Sequence, residues 1–208
     1  MASAATQRQG YHHGNLRQVL LDTGLQLTRT GGPTALVLRD VARRVGVSPN
    51  AAYRHFADRD ALLNGVALQI QQNMAARMQR YEAEQSEGGR RIAARAKLRA
   101  VGLGYIEFAI SEPGWFETAF ADIAPVDPRQ GSVLPSPLAL LVSALDGMVA
   151  EDDLAADARD GAEWPCWSAV HGFALLVLHG PLRGLSPNQI RLSAERTVDA
   201  IISGLLDR

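Results

Sequence analysis

One short segment constrains this chain more than any other. It starts at Leu38 and reads Leu-Arg-Asp-Val-Ala-Arg-Arg-Val-Gly-Val-Ser-Pro-Asn-Ala-Ala-Tyr-Arg-His-Phe, ending at Phe56. Val41 and Val45 fall one helical turn apart on one face, and Ala42 beside them is small enough for a second helix to cross closely. Gly46 supplies the left-handed backbone that a short turn needs, and Val47 plugs that turn. Ser48 caps the next helix, Pro49 takes its first position, and Ala52 and Phe56 anchor it inward. Two short helices are therefore predicted, over residues 38–45 and 49–55. A plain helical hairpin needs only part of this pattern. The combined spacing specifies a helix-turn-helix, whose second helix can lie in the major groove of DNA.

The side chains left toward solvent carry matching chemistry. Arg54 can pair bidentately with a guanine edge, and Asn50 can read an adenine or another base edge. Tyr53 and His55 can donate to phosphates, which set register without reading sequence. Arg39, Ser48 and Pro49 complete the expected DNA-facing set. Arg59 falls in the first turn of a helix, where the dipole disfavours a cation; a phosphate lying at that end would reconcile the two.

The rest of the chain also reads as helix. Leu16, Val19, Leu20, Thr23 and Leu27 form one buried stripe, ended by Gly31-Gly32-Pro33. A long helix follows Asp58, with Leu63, Val66, Ile70, Met74, Met78 and Tyr81 as its stripe, up to Gly88-Gly89. Further helices are predicted over residues 90–110, 138–149 and 164–179, and a last one opens at Ser186-Pro187. Four prolines make residues 125–137 a loop, Pro113-Gly114 reads as a stop, and residues 151–160 read as an acidic, solvated stretch. No segment has a strand period, so the fold class is all-α: an N-terminal three-helix helix-turn-helix domain plus a C-terminal helical bundle. The expected division is a flexible arm at 1–10, a DNA-binding domain at 11–60, and a ligand-binding and dimerisation domain at 61–208.

Charge divides along the same line. Residues 1–60 carry eight Arg against four Asp, a net of +4, which leaves −5 for the remainder. A basic head on an acidic body implies that the head alone meets a polyanion. An apolar fraction of 47% and a charged fraction of 21% belong to a globular protein, not a disordered one. The single cysteine, Cys166, leaves no internal disulfide and no Cys-rich metal site. The longest apolar run, residues 173–178, is too short to span a bilayer, and no signal peptide is visible, so a cytoplasmic location without membrane contact is expected.

Residues 11–68, from Tyr-His-His-Gly-Asn-Leu through Phe56-Ala-Asp-Arg-Asp-Ala-Leu-Leu63, resemble the DNA-binding domain of the TetR family. Trp167-Ser-Ala-Val-His171-Gly172 resembles the WHG type of TetR C-terminal domain. Residues 85–160 carry no motif of this kind. The resemblance implies a homodimer on double-stranded DNA, bound to an inverted-repeat operator. It also implies dimerisation through the last two long helices in a four-helix bundle, with Val198, Ile201, Ile202 and Leu205 as candidate interface residues. Two departures stand out. Val37 occupies the position where the family usually places a Ser or Thr cap, which removes about 1 kcal/mol of capping and one DNA contact. Asn50 stands where Gly or Ala is common, so no operator sequence carries over.

The body holds aromatics that suit a small apolar or amphipathic effector. Phe108, Trp115, Phe116, Phe120 and Trp167 are the candidate pocket, and His171, on the same face as Trp167, is its polar handle. Cys166 reads as a small buried apolar residue. His12-His13 lack a third ligand at suitable spacing, so no metal and no cofactor are expected. No nucleophile elbow, zinc-protease, phosphate-loop or dinucleotide motif is present, and the chain is not expected to be an enzyme. The expected function is a repressor that a small molecule releases from its operator by moving the fourth helix. A DNA-binding module controlled by a protein partner is the alternative, and a helical enzyme with an unrecognised site is a further one.

Overall fold

The computed structural model describes residues 16–85, 94–121 and 134–207, and among these every regular element is helical. Helix α1 (Leu16–Gly31) buries Leu20, Leu21, Gly24 and Thr28. It ends as the sequence predicts, because Gly32 takes φ 61°, a left-handed conformation that other residues rarely adopt. A 3-10 turn (Pro33–Ala35), which local sequence signals do not reveal, leads into α2 (Leu38–Val45), α3 (Pro49–Tyr53) and the long α4 (Arg59–Gln85). Helix α3 is shorter than predicted, and the chain passes from Arg54 to Phe56 as a turn held by the Ala52 carbonyl.

The body follows as α5 (Ala94–Ser111), α6 (Pro113–Ala119), α7 (Ser136–Ala150), α8 (Glu163–Leu178) and α9 (Pro187–Leu206). Helix α5 stops before Pro113-Gly114, as the sequence predicts, but a further helix, α6, begins there at once. Pro113 also takes the first position of that new helix, where its missing N–H has no partner to lose. The predicted arm, His12-His13, Gly88-Gly89 and most of the proline-rich loop lie outside the described residues. The acidic stretch is largely exposed, tied to the body by the buried Leu154.

A single core runs through the molecule along α4. Leu20, Leu36, Val41 and Phe56 pack under the helix-turn-helix, and Ile70, Met74 and Met78 carry the core into the body. A 27-residue helix spans about 40 Å, so α4 links the two ends directly. No described helix is long and apolar enough to cross a membrane, and no cluster of metal-ligating side chains exists among the described residues.

Candidate nucleic-acid interface and effector body

The turn between α2 and α3 is built as its residues require. Gly46 has φ 80° and ψ 27°, and the Val47 N–H returns to the Ala42 carbonyl at 3.0 Å, which closes the end of α2. The Ser48 side chain accepts from the Ala51 N–H at 3.3 Å and so caps α3, with Pro49 in its first position. Val41, Ala42 and Ala52 are completely buried where the two helices cross. At the start of α2, Val37 has an extended backbone and gives no side-chain cap.

This frame leaves Arg39, Ser48, Pro49, Asn50, Tyr53, Arg54 and His55 exposed or half-exposed. Among the described residues, the side chains of Arg39, Asn50, Tyr53, Arg54 and His55 have no hydrogen-bond or ion-pair partner, so their donors face water. Arg44, which the sequence motif does not single out, is exposed at the end of α2. Arg59 is placed differently. Its Nε donates to the Leu36 carbonyl at 2.9 Å, one Nη to Pro33 at 2.6 Å, and the other meets Asp60 at 3.2 Å. Backbone carbonyls and a carboxylate thus offset the unfavourable helix dipole within the chain itself.

Helix α6 is fastened to α1, a connection invisible in the sequence. Glu112, just before α6 and 7% exposed, accepts two hydrogen bonds from Arg29: Nε to Oε2 at 2.7 Å and Nη2 to Oε1 at 2.6 Å. Glu112 raises the pKa of Arg29, first through this hydrogen bond and then through its charge. Arg77 of α4 approaches the same carboxylate at 3.8 Å and bonds Glu107 at 2.8 Å. The Trp115 indole N–H donates to the Leu25 carbonyl at 2.8 Å, and the Arg29 guanidinium lies 5.0 Å from the Trp115 ring centre. Gly114 permits the approach, since a Cβ there would run into the Thr28 and Arg29 carbonyls. Trp115 therefore ties α6 to the DNA-binding end, through its bond to Leu25.

The other predicted aromatics divide. Phe116, Phe120, Trp167 and His171 come together, and Tyr105 completes the cluster. Tyr105 and Trp167 meet edge-on at 5.0 Å, and Trp167 stacks on His171 at 6.3 Å. Phe108 is fully buried in the shared core, one turn along α5. The Tyr105 hydroxyl lies 2.8 Å from His171 Nδ1. Burial pushes the Tyr105 pKa well up and the His171 pKa down, so the hydroxyl keeps its proton and the imidazole is neutral. With the hydroxyl as donor, the imidazole proton sits on Nε2.

Beside this cluster is a small cavity of about 30 Å³, walled by Met78, Tyr105, Cys166, Trp167, Val198, Ile202 and further apolar residues. Burial pushes the Cys166 thiol up to about 11. A larger groove, about 350 Å³, opens between α4, α5 and α9 and is edged by Glu107, Arg191 and Glu195.

The expected interface residues are not on the outside. Val198 and Ile202 are 2% exposed and Leu205 is 4%, while Ile201 is partly buried and lines the cavity. Val198 faces Gly102 of α5. This helical stripe packs inside the chain. The exposed apolar side chains of the last two helices are Trp164, Leu175 and Leu176 on α8 and Leu192 on α9.

Comparison with known proteins gives two family matches. Residues 20–66 match the bacterial regulatory proteins of the tetR family, and residues 98–201 match the tetracyclin repressor-like C-terminal domain. Nothing matches among curated protein sequences. A protein of unknown function from Rhodococcus sp. RHA1 is a structural neighbour with 28% identity and a TM-score of 0.71, over 96% of this chain and all of the other. A TetR-family transcriptional regulator from Pectobacterium atrosepticum aligns at 18% identity and TM-score 0.66, over 97% of this chain and 99% of its own. A single-substitution variant of TetR from Acinetobacter baumannii AYE, solved in complex with minocycline, aligns at 18% identity and TM-score 0.60, over 90% and 91% of the two chains. At such identities the last two likenesses concern the fold.

Proposed function

This chain belongs to the TetR family of DNA-binding transcription regulators, and on that premise we propose that it is a homodimeric repressor released from an inverted-repeat operator by a small molecule. The observation that carries the reading is the capped turn at Gly46–Ser48, which holds Asn50, Tyr53 and Arg54 exposed with free donors. Arg54 and Asn50 read base edges, while Arg39, Arg44, Tyr53 and His55 hold phosphates, and Ser48 and Pro49 fix the entry of α3. Arg59 acts one step back, by shaping the turn before α2.

Two copies are needed because one helix-turn-helix binds weakly, and two half-sites about one DNA turn apart multiply the affinity. The α8 and α9 surfaces bearing Leu175, Leu176 and Leu192 are the proposed dimer face. Residues 11–60 form the DNA-binding unit and residues 61–208 the effector and dimer unit. Release runs through α6 as well as α4. Phe116 and Phe120 of the ring cluster sit on or beside α6, and the Arg29–Glu112 and Trp115–Leu25 bonds tie that helix to α1. A ligand that displaces the rings moves the DNA-binding units relative to each other. By linkage it must bind the DNA-free conformation better than the DNA-bound one.

The small size of the cavity is the observation that favours a second reading, in which a protein partner controls the DNA-binding unit. Selection of the purified protein against random duplex DNA tests the main reading. It predicts an enriched inverted repeat whose binding weakens steeply with salt. A folded protein that enriches no sequence would refute it.

A further inference from the structure

We propose that the effector is an uncharged, apolar compound of one or two rings, seated in the cavity where Tyr105 and Trp167 meet Val198 and Ile202 of α9. The inference rests on the effector reading above and adds the chemistry of the ligand.

The wall of this cavity holds no ionised group. Its only side-chain polar atoms outside the indole N–H are the Tyr105 hydroxyl, already bonded to His171, and the Cys166 sulfur. An ion entering here would lose its hydration and find no counter-charge. Of the charged side chains of α5 and α9, Arg99 pairs with Asp199 at 2.6 Å and Arg191 with Glu195 at 2.7 Å, and none lines this cavity. Shape and softness favour rings. The edges and faces of Tyr105 and Trp167 form one side, and the sulfurs of Met78 and Cys166 offer further contacts to an aromatic ligand.

At about 30 Å³ the cavity has room for roughly one water, so a ligand must widen it. The wall allows this. Met78 is unbranched and adaptable, and Trp167 is only partly buried. Widening separates Trp167 from Tyr105, and both touch the rings of Phe120. Binding is thereby linked to α6 and its bonds to α1. The larger α4–α5–α9 groove, edged by charged residues, predicts the opposite ligand preference, so the two sites are separable by experiment.

The experiment uses the whole protein without DNA and three probes with one ring system: 1-naphthol, 1-naphthoate and 1-naphthylmethylammonium. Calorimetry and thermal melting at pH 7 should show saturable binding and stabilisation by the neutral probe. Each ion should bind at least about tenfold more weakly. Gly102→Ala adds a methyl at 3.2 Å from Val198 and favours the helix, and should weaken 1-naphthol by about tenfold. Val198→Ala enlarges the cavity and should tighten binding, which keeps the test valid if Gly102→Ala does not fold. Gly147→Ala, a glycine with open space around it, should change nothing. Equal binding of the ions, no binding of the neutral probe, or indifference to Val198→Ala would each overturn the proposal. Operator binding is measured separately, so failure of the ligand claim with operator binding intact leaves the DNA reading standing.

Discussion

Arg29, near the end of the first helix, grips both oxygens of Glu112, just before α6, at 2.7 and 2.6 Å, across 83 positions of sequence. Arg29 is more than half exposed, whereas the Glu112 side chain is 10% exposed. The exposed partner is replaceable by water; the buried carboxylate is not.

Glu112→Gln should therefore act on coupling more than on folding. It keeps the shape but removes the charge that holds Arg29 and Arg77 together. We expect the protein to remain folded by circular dichroism, with operator affinity or ligand-induced release changed by about two- to thirtyfold. Unchanged affinity and unchanged release would remove Glu112 from the coupling route.

The uncapped start of α2 offers a gain. Val37 is extended, 43% exposed and makes no cap, so Val37→Thr sacrifices little packing and restores a side-chain acceptor. Thermal and urea unfolding should show about 0.5–2 kcal/mol of added stability. Ser48→Ala, which removes the cap of α3, should lose a similar amount.

His171 makes stability depend on pH with a definite sign. Its pKa is lowered in the folded protein from 6.5, because burial disfavours the charged ring. Below about pH 6.5 the unfolded chain binds the extra proton first, so stability falls as pH falls, until the folded-state value is passed. Melting curves from about pH 7.5 to 5 should show that loss, and His171→Gln should flatten it. An equal slope in the variant would assign the loss to other groups.

The dimer face is testable by charge. Leu176 is 44% exposed on α8. Leu176→Asp should shift the protein from dimer to monomer in sedimentation without lowering the melting temperature of the monomer. A persistent dimer would place the interface elsewhere.

The helix-turn-helix is legible in the sequence because its signals are local. Gly46, Ser48 and Pro49 act within a few residues of where they stand, and the Val41–Val45 and Ala52–Phe56 spacings report one buried face each. What the sequence hides depends on partners far along the chain. Pro113 both follows the end of one helix and opens the next, and the second role depends on Gly114 and Trp115 packing on α1. Trp115 is one more aromatic until its N–H finds the Leu25 carbonyl. The α9 stripe of Val198, Ile202 and Leu205 announces a buried face, but a periodic pattern does not say whether the chain itself or a second copy covers it. The helix-terminal position of Arg59 suggests a phosphate, whereas its partners come from a turn that local sequence does not reveal.

The most direct test of the account is a comparison of wild type and Arg54→Ala on every single-base variant of the selected operator. The side chain of Arg54 is exposed, with no partner among the described residues, in the turn that follows α3. Arg54→Ala should lose about 1–3 kcal/mol of discrimination at one base pair in each half-site, placed symmetrically, with the other positions still read. A uniform loss across all sequences, or preferences unchanged from wild type, would contradict the assignment of this face as the reader of the operator.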